Sequence, residues 1–403
     1  MLPINEFITM LDKKKKTTLT ISILVIMSML PGVLTDAWNL VSPAKSLDEF
    51  EPFKTSYLQG GDTKSSDISP DGKFIASSTG RTVNFWDVQS NDEFFGYHVM
   101  NDGSSSTVKD REPYRNIADI EFSAIGNYYL VCSNSNNFYD GGIEASHLTL
   151  YNMTHSKGVA SKVFRTHQIN GIFIEDTAIS PDETTYVACT EITANPESCN
   201  ITFWDIESGD VVNSIMSNNY MATSITFTPD GKSLVASFDN DINPDRIVFF
   251  DLESGDVFKT IEERPVADLQ FSEDGEVLVA GSVYRSEIII WNGTTYEEMH
   301  RLKGMDLSPD STALSSDGKY VMGMDFRRLI VWDTDSTRKI VSSRSQKLDF
   351  VDAFRSGTFS DDGKYIVIAL DAPWESKYIT DPPTGTGMVF IYDFEGILDS
   401  YYD

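Results

Sequence analysis

From Ile68 to Asp87 the chain reads ISPDGKFIASSTGRTVNFWD, and this pattern of a turn, an apolar run and an aromatic-acidic close comes back six more times. The closing residues are Asp87, Asn152, Asp205, Asp251, Asn292, Asp333 and Asp393, and Asp251, Asn292 and Asp333 follow one another at intervals of 41 residues. That period suits one four-stranded sheet per copy and is too long for most leucine-rich or helical repeats. In Ser69-Pro70-Asp71-Gly72 the proline presets φ for a type I turn, a polar serine precedes it and a glycine follows, so the chain reverses tightly. Phe74-Ile75-Ala76 and Val83-Asn84-Phe85-Trp86 then read as short strands rich in aromatic and β-branched residues. A second reversal, ESGD at 207–210 and again at 253–256, leads to a fourth strand. One such sheet cannot bury both its faces, so the copies must stack on one another around a ring.

These repeats resemble those of the WD-repeat (WD40-like) β-propeller family. The resemblance is carried by Trp86-Asp87, Trp204-Asp205 and Trp332-Asp333, by the softened copies Phe250-Asp251, Trp291-Asn292 and Tyr392-Asp393, and by the Pro-Asp-Gly turns. It extends over residues 47–403 and implies an all-β fold, a seven-bladed β-propeller of four-stranded antiparallel blades. The Gly-His dipeptide that family members often place before the innermost strand is missing throughout, which keeps a lactonase-like or quinoprotein-like propeller as the related alternative. The last copy has no fourth run after Asp393, so residues 47–58 are expected to supply the outer strand of that blade and close the ring.

Charge and the N-terminal residues bear on partners and compartment. The chain carries 32 basic against 61 acidic residues, a net charge of -29, which repels phosphate backbones and anionic lipid and argues against nucleic acid as partner. Lys13, Lys14, Lys15 and Lys16 precede the uncharged run TTLTISILVIMSMLPGVLT at 17–35. A basic segment, an apolar core and small residues near Thr35 and Ala37 read as a signal peptide over 1–37, with an uncleaved signal anchor as the alternative, followed by a linker over 38–46. Both readings place everything after Asp36 outside the cell membrane. In that compartment Cys189 and Cys199, which bracket a candidate hairpin loop, could form a disulfide or, with Cys132, stay as buried thiols. Asn152, Asn200 and Asn292 each open an Asn-x-Thr sequon for glycosylation.

What differs between the copies is where binding is sought. The implied geometry puts the inter-blade connectors and the loops between second and third strands on one face. The long ones occupy 92–116, 133–147, 154–176, 190–200 and 371–387, a continuous arc over blades 7, 1, 2 and 3. Aromatic and arginine side chains dominate binding hot spots, which singles out Tyr97, Tyr114, Arg115, Phe138, Tyr139, Trp374 and Tyr378. Asp239, Asp241, Asn243 and Asp245 alternate as the first half of a calcium loop does, but without its glycine and distal glutamate, and turn chemistry accounts for them equally. Neither a Gly-x-Ser-x-Gly elbow nor a His-Glu-x-x-His pair occurs, so no catalytic residue and no cofactor is assigned. The reading is an exported, monomeric, non-enzymatic scaffold for a protein partner or a surface glycan; the rival is an exported propeller enzyme with a metal or cofactor on the central axis.

Overall fold

The structure, a computed structural model, describes residues 43–52, 54–57, 63–79, 82–88, 93–98, 114–136, 143–153, 162–170, 173–192, 198–218, 220–240, 244–345, 353–372 and 386–402. The segment read as a signal peptide or anchor lies outside them. Among the described residues no helix is long and apolar enough to cross a membrane.

Seven four-stranded antiparallel sheets follow one another along the chain, at 63–98, 114–170, 173–218, 221–262, 266–303, 311–344 and 353–393, the last completed by Lys54–Tyr57. In each of the first six sheets the strands keep sequence order from the innermost outward. The first strand of each sheet packs against the first strand of the next, and the first strand of blade 7 against that of blade 1, so the seven close into a ring. Apolar packing repeats at every junction. Among the described residues there are seven buried clusters, each drawing its side chains from two neighbouring blades.

The repeated residues have distinct jobs in this ring. Trp204, Trp291 and Trp332 each pack against the blade before their own, Trp291 and Trp332 at 1 % exposure. The residue after each tryptophan or its substitute is a turn cap. Asp205, Asp251 and Asp333 accept hydrogen bonds from the backbone N–H three residues on, at 2.7 Å in each case. Asn292 replaces them without loss because its Oδ1 takes the same bond from Thr295, also at 2.7 Å. A short side chain with an sp² oxygen suits this donor best, which is why Asp and Asn are interchangeable here.

The Ser-Pro-Asp-Gly turn is held similarly. The Ser69 hydroxyl donates to Asp71 at 2.8 Å and accepts from Phe74 N–H at 2.9 Å, while Gly72 takes the left-handed backbone conformation at φ 66°. In blade 3 this conformation falls on Glu183, at φ 53°. Its carboxylate accepts from Asn127 N–H at 3.1 Å and Asn127 Nδ2 at 2.8 Å, a bond to the neighbouring turn that offsets the strain.

The first and last described segments are both fastened at blades 6 and 7. Lys54–Tyr57 pairs antiparallel with Thr386–Asp393, Lys54 opposite Ile391 and Tyr57 opposite Met388. The residues read as a linker are already engaged at Lys45, which forms a parallel bridge with Val341 on the outer edge of blade 6. There Lys45 N–H donates to Ile340 at 2.8 Å and its carbonyl accepts from Ser342 at 2.7 Å. Leu47, 1 % exposed, then plugs the apolar seam between blades 6 and 7. The other end turns into a helix, Phe394–Tyr402, whose Phe394, Ile397 and Tyr401 enter the same seam. The sequence reading had no helix here; these three at i, i+3 and i+7 form one apolar face that only the exposed seam explains.

Replacing Trp332 by Ala is expected to lower the unfolding free energy by about 3–5 kcal/mol. Gly72→Ala, where an added methyl meets nothing within 4 Å and only the positive φ is penalised, is expected to cost about 1–2 kcal/mol. Denaturant titration of the two variants checks this order.

Candidate functional site

All seven second strands start five residues after the serine or threonine of the turn, so any added length appears at the opposite face. They run six residues in blades 1, 5 and 6 (Phe74–Thr79, Val277–Ser282, Tyr320–Asp325). They run nine in blade 2 (Tyr128–Asn136) and eight in blades 3 and 7 (Thr185–Ile192, Tyr365–Ala372). Their partner strands lengthen with them, to ten residues in blade 2 (Ile143–Asn152) and eight in blades 3 and 7 (Ser198–Asp205, Thr386–Asp393). At about 3.3 Å per residue, the two or three extra residues lift these hairpins roughly 7–10 Å above those of blades 5 and 6. Much of what the sequence presents as loop insertion is therefore strand.

This changes the setting of the candidate binding residues. Tyr97 lies on the outer strand of blade 1, Glu93–His98, opposite Val83 and next to the strand's end. Tyr114 and Arg115 open the innermost strand of blade 2, Tyr114–Phe122, opposite Asn136 and Ser135. They are strand residues rather than loop residues, though all three sit at the loop-bearing end of their sheets. Phe138, Tyr139, Trp374 and Tyr378 lie outside the described residues. In blade 7, Arg355 donates to Asp371 at 2.7 Å and lies over the Phe326 ring at 5.1 Å. Asp371 in turn accepts from Thr63 N–H at 3.2 Å, tying blade 7 to blade 1.

A second constellation, missed in the sequence, surrounds the axis. The innermost strand of each blade is an edge, and alternate backbone N–H groups along it face away from the sheet with no strand to receive them. Acceptors come from the preceding blade. The residue four before each turn serine or threonine is Ser65, Asp119, Asp176, Ser224, Asp268, Ser311 and Ser356, always Asp or Ser. Ser65 accepts from Ile120 N–H at 3.3 Å, Asp176 from Ile225 at 2.8 Å, Ser224 from Leu269 at 3.0 Å, Asp268 from Thr312 at 2.7 Å and Ser356 from Ser66 at 3.1 Å. Asp119 instead accepts from the hydroxyls of Ser65 at 3.1 Å and Thr177 at 3.3 Å. Two residues further on, a second tier repeats the device: Asp67 accepts from Phe122 N–H at 2.8 Å, Glu121 from Ile179 at 3.4 Å and Gln270 from Leu314 at 2.6 Å. The signal that could have revealed this belt is positional: acidic residues are common throughout, but these recur in register with the turns.

Burial is the main cause of the belt's protonation behaviour. It pushes Asp67 up to about 7, against the pull of the Phe122 and Ile68 N–H groups. Burial also raises Asp119, Glu121 and Asp176, with Asp119 adding repulsion on the other two. Asp268, which keeps solvent contact and holds φ 53°, is raised too.

The remaining candidates resolve locally. Cys132, Cys189 and Cys199 are free and buried, so Cys189 and Cys199 form no disulfide; the register sets Cys189 opposite Ile201 and Cys199 opposite Glu191, and both thiols join the apolar seam between blades 3 and 4. Asp239 accepts from the Tyr284 hydroxyl at 2.7 Å and Asp245 from Asn240 N–H at 3.1 Å, whereas Asp241 and Asn243 lie outside the described residues. Among the described residues no group of His, Cys, Asp and Glu has the geometry to hold a metal. Of the sequon asparagines, Asn152 ends a blade 2 strand, Asn292 caps its turn, and Asn200 donates to Thr202 at 3.0 Å and accepts from Ser214 at 2.7 Å.

A family model for the WD domain, G-beta repeat, matches residues 57–87. Protein hir1 of Schizosaccharomyces pombe is 27% identical over 142 residues, 34% of this chain and 15% of that protein. An uncharacterized WD repeat-containing protein of Synechocystis is 22% identical over 206 residues, 51% of this chain and 48% of that protein. Protein HIR1 of Yarrowia lipolytica is 27% identical over 187 residues, 39% of this chain and 17% of that protein. The chain thus spans less than half the length of each of these curated relatives.

If the belt joins blades as described, Asp176→Ala strands the Ile225 N–H and should cost roughly 1–3 kcal/mol of stability, while Asp176→Asn, which keeps an acceptor oxygen, costs distinctly less. Equilibrium unfolding of both variants measures the difference.

Proposed function

Because this chain belongs to the WD-repeat β-propeller family, we propose that it is an exported, non-enzymatic scaffold that holds a protein partner or a surface glycan on the loop-bearing face of blades 7, 1, 2 and 3. The observation that carries this reading is the unequal height of the hairpins. Blades 5 and 6 carry only what a ring needs, and the added strand length of blades 2, 3 and 7 is spent at one end of the molecule. A rigid wall that supports long connections is the arrangement on which binding surfaces are commonly built. The charge of -29 favours a neutral or basic partner and disfavours nucleic acid. Export is supported by Lys13 to Lys16 and the uncharged run behind them, which act either as a removed signal or as an anchor that leaves the propeller outside.

The test is capture with the exported propeller. Trp374→Ala combined with Tyr139→Ala should weaken retention of the captured partner by roughly tenfold or more while leaving the melting temperature unchanged. A large fall in melting temperature, or undiminished retention, would assign these aromatics to the fold and remove the face from consideration. Localisation of a tagged full chain inside the cell would refute the exported scaffold separately.

A further inference from the structure

We propose that the axial belt is a proton-controlled clasp: the ring is held most tightly at mildly acidic pH, where its crowded carboxyl groups are spared mutual repulsion and the cost of enclosing charge, and it loosens as the pH rises through neutrality. The geometry behind this is the crowding of five carboxyl groups, Asp67, Asp119, Glu121, Asp176 and Asp268, on innermost strands around one axis. No basic side chain among the described residues takes part in their hydrogen bonds. The charges that act on them are further carboxylates. Asp119 and Asp361 repel Asp67, and Asp119, Asp67 and Asp176 repel Glu121. Asp119 and Asp268 act in the same way on Asp176, and Asp119 and Asp310 on Asp268. The remaining groups against Asp119 are neutral, the Ser65 and Thr177 hydroxyls and the Ile120 N–H. The Cys132 and Cys189 thiols, close to Asp119 and Asp176, are themselves pushed up by burial and so stay protonated.

Glu121 shows where a proton matters most. Its Oε1 accepts from Ile179 N–H, whereas Oε2 is buried with no hydrogen-bond partner among the described residues. A bare buried carboxylate oxygen is costly when charged, and a proton on it removes both that penalty and the repulsion from Asp119.

The sign of the pH dependence follows. Carboxyl groups raised in the folded state bind more protons there than in the unfolded chain, so their contribution is complete below the ordinary carboxylate value and is lost as the pH climbs through about 7, where Asp67 titrates. The turn aspartates work in the opposite sense. Asp230 and Asp274 are held below their ordinary value, chiefly by the Thr228 and Ser272 hydroxyls, and their contribution is lost only in stronger acid. Stability therefore peaks near the ordinary carboxylate value, at about pH 4, above which the belt's contribution falls and below which that of the turns does.

The experiment is thermal unfolding of the full chain at pH 5.5 and pH 8.0, beside Glu121→Gln, Asp119→Asn and the exposed control Glu253→Gln. The wild-type melting temperature should be about 3 °C or more higher at pH 5.5. Glu121→Gln or Asp119→Asn should reduce that difference by a third or more, chiefly by raising the value at pH 8.0. Glu253→Gln, which removes one of the 61 acidic charges without touching the belt, should leave it unchanged. The proposal is overturned if wild-type stability is flat or lower in acid, if neither belt variant reduces the difference, or if the control reduces it equally. That last outcome would assign the effect to overall charge.

Discussion

Every blade presents an unpaired strand edge to the centre of the ring, and the molecule is organised around satisfying it. A sheet sheds half the hydrogen-bonding capacity of its first strand unless something else supplies acceptors, and at the axis neither another strand nor a helix does so. The answer is a short polar side chain on the blade before, at one fixed offset from the turn, reaching across to the next blade's N–H. Ser65, Asp176, Ser224, Asp268 and Ser356 all do this in the same rotational sense. The apolar seams supply the bulk of the association between blades, but they are non-directional; the belt is what fixes each blade's height and angle against its neighbour.

The sequence was most legible where the same physics is repeated. The turn opened by Ser or Thr, mostly with Asp-Gly behind it, the aromatic residue that follows the third run, and the Asp or Asn that comes after it recur because each blade has the same needs, so seven blades could be counted directly. Features that answer a need arising only once were hidden. The helix from Phe394 to Tyr402 and the engagement of Lys45 and Leu47 cover the one seam where the ring closes, and nothing in a repeat predicts them. Tyr97, Tyr114 and Arg115 lie at the loop-bearing end of their sheets but in strands and not in loops, because strand elongation and loop insertion look alike when a hairpin lengthens. The belt was obscured by abundance: with acids everywhere, only alignment against the turn shows that Asp119, Asp176 and Asp268 hold equivalent places.

The acidic residues thus fall into populations with opposite roles. Aspartates in the turns are ionised caps whose charge is neutralised by hydroxyl and backbone donors. Those at the axis are partly withdrawn from water and mutually repelling, and their hydrogen bonds run between blades. A single pair of residues illustrates the contrast. Asp71 keeps its charge beside Lys73 at 2.7 Å in solvent, whereas Asp67, four residues earlier, is held among other acids at the inner edge.

The fastening of the chain ends has a mechanical side. Lys54 lies opposite Ile391 and Tyr57 opposite Met388, so the incoming chain and the outgoing chain meet at the same end of the closing strand pair. A pull applied between them would load that pair as a peel, opening its bonds in succession rather than in parallel. The load does not reach the strands first. It meets Leu47 in its seam and the Lys45 bridge on one side, and Phe394, Ile397 and Tyr401 on the other. Tension on these segments is thereby delivered first into two packed blades and only then into the strand pair.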